Sequence, residues 1–335
     1  MFSFSVVSGV DVKNILESAP QQAIASAELA YLAHHEGKTL NPDSYFLRFP
    51  EQKQNRIIAL PAAIGEQVDV AGIKWISSFP DNIRQGIPRA SAVLVLNDLA
   101  TGYPFALLEG SLISAARTAA SAVLGAYWIN GRRRRAASIA FIGAGIIARN
   151  IFDMFLADDW SFARMQVHDL TPDSAAAFAA HAQSRHPAMA VETADLAAAL
   201  GADIVVFATT AGTPYVPRAT RFAAGQIVLN ISLRDLMPES LLDANNLFDD
   251  VDHCMKADTS PHLAEQLLGD RRFVSGTLAQ LMRAEIVLDG SKPTIFSPFG
   301  MGILDLALGK HVLAQARLRG LAREIPGFFG ETQRW

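Results

Sequence analysis

A chain of 335 residues that is 50% hydrophobic, 19% charged and of net charge −4 is long enough to bury a large core and to form two domains, and nothing in that balance points to a nucleic-acid partner. Its one cysteine, Cys254, excludes an internal disulfide framework and fits a reducing compartment. No basic leader or cleavage pattern opens the sequence, and the longest uncharged stretches (118–131, 136–148 and 204–217) fall short of the ~20 residues a membrane span needs, so the expectation is a cytoplasmic protein with no membrane partner.

Residues 11–36 predict a helix, because Val12, Ile15, Leu16, Ile24, Leu29 and Leu32 recur at helical spacing. Short strand-like runs follow at 45–49, 56–60, 72–77 and 92–96, punctuated by Pro61, Gly65, Pro80-Asp81-Asn82, Gly86, Pro88 and Asn97-Asp98. These imply an α+β domain. Helical periodicity returns over 107–128 and carries Arg117 among Ala115, Ala116, Thr118, Ala119 and Ala120, a setting in which a guanidinium calls for an anionic partner. The basic run 132–135 reads as a solvated loop.

Four residues suited to a buried strand, Ile139 to Ile142, then run into Gly143-Ala144-Gly145-Ile146-Ile147-Ala148, and Ile151, Phe152, Phe155 and Leu156 continue at helical spacing. Strand, glycine turn and helix in this order set backbone N–H groups and a helix N-terminus against a pyrophosphate, which makes Gly143, Ala144, Gly145, Ile146 and Ile147 candidate cofactor-binding residues. The expected second strand ends at Asp169, whose carboxylate would accept from both hydroxyls of an adenosine ribose and repel a 2′-phosphate, favouring NAD over NADP. Its plainer role is to start the turn at Thr171-Pro172-Asp173. Two further buried strands, within 202–210 and 226–232, end in Thr209, Thr210 and Ser232, at the edge where open parallel sheets bind ligands. The fold class is therefore α/β: a Rossmann-type doubly wound dinucleotide-binding domain over 120–305, plus an α+β substrate-binding and dimerisation domain over 1–119 with 306–335. A last helix, 303 to about 319, is expected to cross back to that first domain.

Several segments are similar to the ornithine cyclodeaminase/mu-crystallin family. They are Gly72-Ile73-Lys74-Trp75-Ile76-Ser77-Ser78-Phe79-Pro80-Asp81-Asn82, Leu96-Asn97-Asp98 with Thr101-Gly102-Tyr103-Pro104, Ser114-Ala115-Ala116-Arg117-Thr118-Ala119-Ala120, Gly143-Ala144-Gly145, and Asp305 in the last helix. The resemblance spans nearly the whole chain. It implies that Lys74 and Arg117, with Arg48, hold the carboxylate of an amino-acid substrate beside a nicotinamide; paired cations suit that task because a guanidinium grips a carboxylate bidentately. The alternative for Lys74 and Arg117 is an internal salt bridge. A homodimer made through the first domain is implied by the same resemblance.

Where cyclodeaminases carry a Glu, this chain has Ile58 or Ala59, and in place of their Gly-x-Asp followed by Pro-Gly-Lys it reads Ser232-Leu233-Arg234-Asp235-Leu236-Met237-Pro238. Those departures disfavour ornithine cyclisation. Asn55-Arg56-Ile57-Ile58, Arg89-Ala90-Ser91, Asn230-Ile231-Ser232-Leu233-Arg234-Asp235, Asp250-Val251-Asp252-His253, Thr259-Ser260-Pro261-His262 and Ser297-Pro298-Phe299-Gly300-Met301-Gly302 instead resemble the dehydrogenase branch of 2,3-diaminopropionate biosynthesis. That likeness implies NAD-dependent cleavage of N-(2-amino-2-carboxyethyl)-L-glutamate; the runner-up is another reaction of the family, ornithine cyclodeamination or reduction of a ketimine, and the third reading is a non-catalytic, mu-crystallin-like binding protein. The three carboxylates of such a substrate would draw on Arg48, Arg56, Lys74, Arg89 and Arg117. Asp98, Asp235, His253 and His262 are each either a general base or a structural residue, with Asp235 and His262 the chosen catalytic candidates. No His/Cys spacing suggests a metal.

Overall fold

The computed structural model describes residues 3–333. In chain order the strands are β1 (Ser5–Val7), β2 (Thr39–Leu40), β3 (Tyr45–Arg48), β4 (Arg56–Ile64), β5 (Val70–Ser78), β6 (Ala90–Asn97), β7 (Pro104–Glu109), β8 (Arg135–Ile142), β9 (Ser161–His168), β10 (Ala190–Thr193), β11 (Ile204–Phe207), β12 (Ile227–Asn230), β13 (Asn245–Phe248), β14 (Val274–Thr277), β15 (Thr294–Ser297) and β16 (Arg323–Glu324). The α-helices are α1 (Gly9–Ser18), α2 (Gln21–His35), α3 (Ser111–Ile129), α4 (Ile146–Ala157), α5 (Pro172–Arg185), α6 (Leu196–Ala199), α7 (Val251–Cys254), α8 (Ser260–Leu268), α9 (Leu278–Met282) and α10 (Gly302–Leu318).

Two compact units result. The first joins the chain up to Arg117 with the segment from Met301 onward; the second is Thr118–Gly300. The division falls a few residues before the boundaries expected from sequence, because α10 starts at Gly302 and belongs whole to the first unit.

In the first unit the strands run in the order β16-β1-β7-β6-β5-β4-β2, with β3 on β4. Pairing from β3 to β7 is antiparallel, so alternate residues face opposite sides. Register puts Arg48 opposite Arg56, Arg56 opposite Ser78, Leu60 opposite Lys74 and Lys74 opposite Leu94, all on one face. Helix α10 covers that face, and its Leu306 comes so close to Gly72 that a Cβ there would meet the leucine at 2.8 Å. The opposite face carries Tyr45, Leu47, Trp75 and Val93, all exposed.

Local chemistry set several boundaries. The expected helix over 11–36 is two helices, broken at Ala19-Pro20. The helix expected from 107 begins only at Ser111: 104–109 is strand β7, and the Glu109 carboxylate accepts from the Ser111 and Leu112 amides as an acidic cap. Helix α3 is long and apolar enough to cross a membrane by length and composition, but 61% of its apolar window is buried inside the protein.

The second unit is an all-parallel sheet in the order β10-β9-β8-β11-β12-β15-β13-β14. Strand order reverses between β8 and β11, the crevice at which such sheets take ligands. Phe141, Phe152 and Phe178 pack edge to face beside it, and Ile142, Val205, Phe207, Val228, Phe248 and Ile295 form its core. The basic loop before β8 is partly tied down: Arg132 lies over Trp128 and Arg134 pairs with Asp158 at 2.9 Å.

Candidate functional site

The first unit holds a buried ion cluster. Lys74, 2% exposed, donates from Nζ to Asp305 Oδ2 at 2.6 Å and to Ser114 Oγ at 3.0 Å. Arg117 reaches Asp305 Oδ1 through Nε at 3.3 Å. The internal salt bridge considered from sequence is thus present, and its acid is Asp305, fully buried on α10. Two cations share one carboxylate, which leaves the cluster with a net positive charge. Burial first, and then the neighbouring Arg117, push the Lys74 pKa from 10.5 down to about 8 against the opposing pull of Asp305.

A second cationic group lies at the far end of the same strands. Arg48 is exposed over the Phe46 ring at 5.1 Å and lies opposite Arg56 in strand register. Arg56 and Arg89 are part-buried; burial lowers the pKa of each, and an arginine neighbour lowers it further, Arg48 for Arg56 and Arg56 for Arg89. Among the described residues, no carboxylate is paired with Arg48, Arg56 or Arg89.

In the second unit the glycine turn closes β8 onto α4. Gly143 has φ +95°, and a Cβ there would meet the Ala208 carbonyl oxygen at 2.5 Å, so only glycine lets the turn lie against the exit of β11. Gly145 faces open space, Ile146 is exposed, and the first turn of α4 has no side-chain cap, leaving its N–H groups directed outward. This open, glycine-floored cradle fits a pyrophosphate. One expected donor is spent elsewhere: the Ala144 N–H donates to Asp169 Oδ2 at 2.8 Å, while Asp169 Oδ1 accepts from the Thr171 N–H at 2.8 Å. Asp169 therefore braces the glycine loop and starts its own turn, with further lone pairs for a ribose. Ile147 is half-buried at the start of α4, and Leu170, beside Asp169, is 93% exposed, an apolar surface that sequence reading passed over.

Asp235 is fully buried, with Thr209 and Ser232 donating their hydroxyls to its two oxygens. Its carbonyl accepts from the Tyr215 and Val216 amides, tying the segment after β11 to the one after β12. Burial and the Asp235 carboxylate raise the pKa of the Tyr215 phenol. The arrangement brings Thr209, Ser232 and Asp235 together as expected, but as a closed hydrogen-bonded knot; Thr210 is exposed beside it. Leu233 takes φ +69° within that knot, and Arg234 locks it by donating twice to the Ala257 carbonyl.

His262 is on the first turn of α8, two residues after Ser260, whose N–H and hydroxyl donate to the Leu233 and Leu236 carbonyls of the same segment. Its Nδ1 accepts from the Asp258 N–H at 3.2 Å and its Nε2 meets the Gln266 amide at 2.9 Å, so both ring nitrogens are engaged locally. His253 stacks by its ring edge on Phe299. Asp98 accepts from the Thr101 hydroxyl and amide, bonds that lower its pKa and make it a turn residue. Among the described residues no group of three His, Cys, Asp or Glu side chains could hold a metal ion. Tyr215 escaped the sequence reading, and Ser114 and Asp305 entered it only through resemblance; the signal for Asp305 was an acid inside a helix otherwise rich in Ala and Leu, the mirror image of Arg117.

The sequence profile of the ornithine cyclodeaminase/mu-crystallin family matches residues 5–319. The N-((2S)-2-amino-2-carboxyethyl)-L-glutamate dehydrogenase of Staphylococcus aureus is 30% identical over 309 residues, 88% of this chain and 90% of that protein. Two solved structures share the fold. The Delta(1)-pyrroline-2-carboxylate reductase of Thermococcus litoralis, in complex with NADH and L-proline, has a TM-score of 0.85 at 22% identity, covering 96% of this chain and 100% of that one. An archaeal alanine dehydrogenase dimer with bound NAD has a TM-score of 0.86 at 21% identity, covering 98% and 100%.

Proposed function

The chain belongs to the ornithine cyclodeaminase/mu-crystallin family, and on that premise we propose that it is an NAD-dependent dehydrogenase acting on a CH–NH bond, cleaving N-(2-amino-2-carboxyethyl)-L-glutamate to L-2,3-diaminopropionate and 2-oxoglutarate. The observation that supports the substrate is electrostatic: in the first unit Arg48, Arg56 and Arg89 gather at one end of the sheet while Lys74 and Arg117 share Asp305, and among the described residues that is the one carboxylate bonded to any of the five. A substrate with three carboxylates answers that imbalance. Reduction of a cyclic imino acid, the runner-up, offers one carboxylate and leaves Arg56 and Arg89 without a task.

The residues of the cradle fit NAD: Gly143 and Gly145 give the close approach, the open first turn of α4 at Ile146 and Ile147 receives the phosphates, and Asp169 receives the ribose. Bound in this cradle, NAD would supply the hydride acceptor for the glutamyl Cα–H; with loss of the amine proton to solvent, the secondary amine would become an imine. Lys74 Nζ and the Arg117 guanidinium hold the carboxylate on that carbon and fix its orientation. Water then adds to the imine carbon and the C–N bond breaks, the amine leaving as diaminopropionate and the carbon as the ketone of 2-oxoglutarate. The surrounding cations hold the substrate carboxylates in place through these steps. Thr209, Ser232 and Asp235 act as positioning residues that keep the loops beyond β11 and β12 in place.

The protein works in the cytoplasm as a homodimer, its product serving siderophore or peptide antibiotic assembly. The cross-strand row Tyr45, Ala59, Trp75, Val93 on the uncovered sheet face, with Tyr45 73% and Trp75 42% exposed, supports pairing of two copies through the first unit. The decisive experiment is to incubate the purified protein with NAD and the glutamate–diaminopropionate conjugate and to identify both products by mass. A protein that binds NAD yet forms no NADH from the conjugate would overturn the reading; NADH consumption with a cyclic ketimine would replace it with the runner-up.

A further inference from the structure

The register of the first sheet brings three arginines and a serine to one end of it. Arg48 lies opposite Arg56, Arg56 opposite Ser78, and Ser78 opposite Ala90, the residue after Arg89. The Arg89 carbonyl accepts from the Phe79 N–H at 2.9 Å, which pins that strand start, and Arg89 Nη1 stands 3.5 Å from Ser78 Oγ. Like charges held together and partly desolvated weigh against folding unless an anion joins them, and among the described residues no carboxylate does. Lys74 is four positions along β5 from Ser78, about 13 Å at strand rise. The two cationic groups thus lie on the same sheet, one at its end and one further along β5.

We infer that Arg56 and Arg89, with Ser78 between their strands and Arg48 alongside, form a second carboxylate subsite that selects acids carrying a further carboxylate distal to the one held by Lys74 and Arg117. The planar guanidinium forks suit this task, since each grips a carboxylate through two parallel N–H bonds. The subsite explains why the cation count exceeds what a monocarboxylic amino acid requires. It rests on the reading that the substrate has more than one carboxylate, and it says which residues read the extra one.

Calorimetric titration of the full-length protein, with NAD present, with glutarate and with butyrate isolates the distal group, because the two acids share a carbon chain and differ by one carboxylate. Wild-type protein is expected to bind glutarate at least about tenfold more tightly than butyrate. Arg56→Gln and Arg89→Gln should each erase most of that preference while leaving butyrate affinity within about twofold, and retained butyrate binding certifies that the variant is folded. Arg89→Lys should restore part of it. The subsite is overturned if wild-type protein shows no preference, if the preference survives both Gln variants, or if butyrate affinity falls as far as that of glutarate. NADH formation from the conjugate is scored separately. A preference lost in the variants without turnover would end the dehydrogenase reading and keep the subsite; turnover with an unaltered preference would do the reverse.

Discussion

In the second unit the acids that shape the ligand edge are met by neutral donors: Asp235 by the hydroxyls of Thr209 and Ser232, Asp169 by the amides of Ala144 and Thr171. In the first, Asp305 is shared by Lys74 and Arg117, and Arg48, Arg56 and Arg89 at one end of the sheet have no paired acid among the described residues. An acid satisfied by hydroxyls and amides has finished its work once the loops are in place, and the nucleotide cradle is complete in the chain as folded. A surplus of cations is complete only when an anion arrives. The first unit is therefore built around its ligand, the second ahead of it.

The largest effect should come from removing the shared acid. Asp305→Asn leaves two cations in a buried site and is expected to lower unfolding stability by about 3–5 kcal/mol, read from urea unfolding; a loss below about 1 kcal/mol would mean that the cluster is not held by charge. Next, Arg117→Ala should lower kcat/KM for the conjugate by about a hundredfold to a thousandfold with the fold intact. On the other side of the comparison, Gly143→Ala forces a methyl against the Ala208 carbonyl at a backbone angle that side chains resist. NADH binding, followed by fluorescence, should weaken about tenfold to a hundredfold while acid binding in the first unit is spared. Equal loss of both would dissolve the distinction between the units.

Smaller effects sharpen it. Lys74 carries its proton below about pH 8 and sheds it above, because its folded pKa is depressed from 10.5. A carboxylate ligand prefers the protonated form, so the affinity for 2-oxoglutarate, which has no group titrating there, should be level below about pH 8 and fall by up to about tenfold per pH unit above it. A flat profile across that window would show that Lys74 does not touch the acid. Smallest of all, His262→Ala should change kcat by less than about threefold, since both ring nitrogens serve α8; a collapse of kcat would restore it as a proton-transfer group.

The nucleotide half was largely legible because its signals are local: a buried strand, a glycine turn and an amphipathic helix follow each other within β8 and α4, and Asp169 closes the next strand. The first half hid what depends on distant chain. Arg117 announced its need for an acid, but Asp305 comes from the far end of the sequence, and only packing of α10 on the sheet brings it in. The pairing of Arg48 with Arg56 was hidden for a related reason, since strand register is invisible in composition. The helix start at Ser111 was obscured because Leu107 and Leu108 fit strand and helix equally until the Glu109 cap is seen. Asp235 kept its neighbours but not its openness, because burial follows from three loops folding over it.

The bond from Lys74 to Asp305 spans 231 positions of chain. On the ribosome the strands around Lys74 are made long before α10 exists, and until that helix emerges the ammonium has no counter-charge and the sheet face no cover. The first unit therefore cannot mature as it is translated; a stalled product ending before residue 305 has an intact glycine-turn motif but an uncompensated Lys74, and it offers bare sheet to chaperones and proteases.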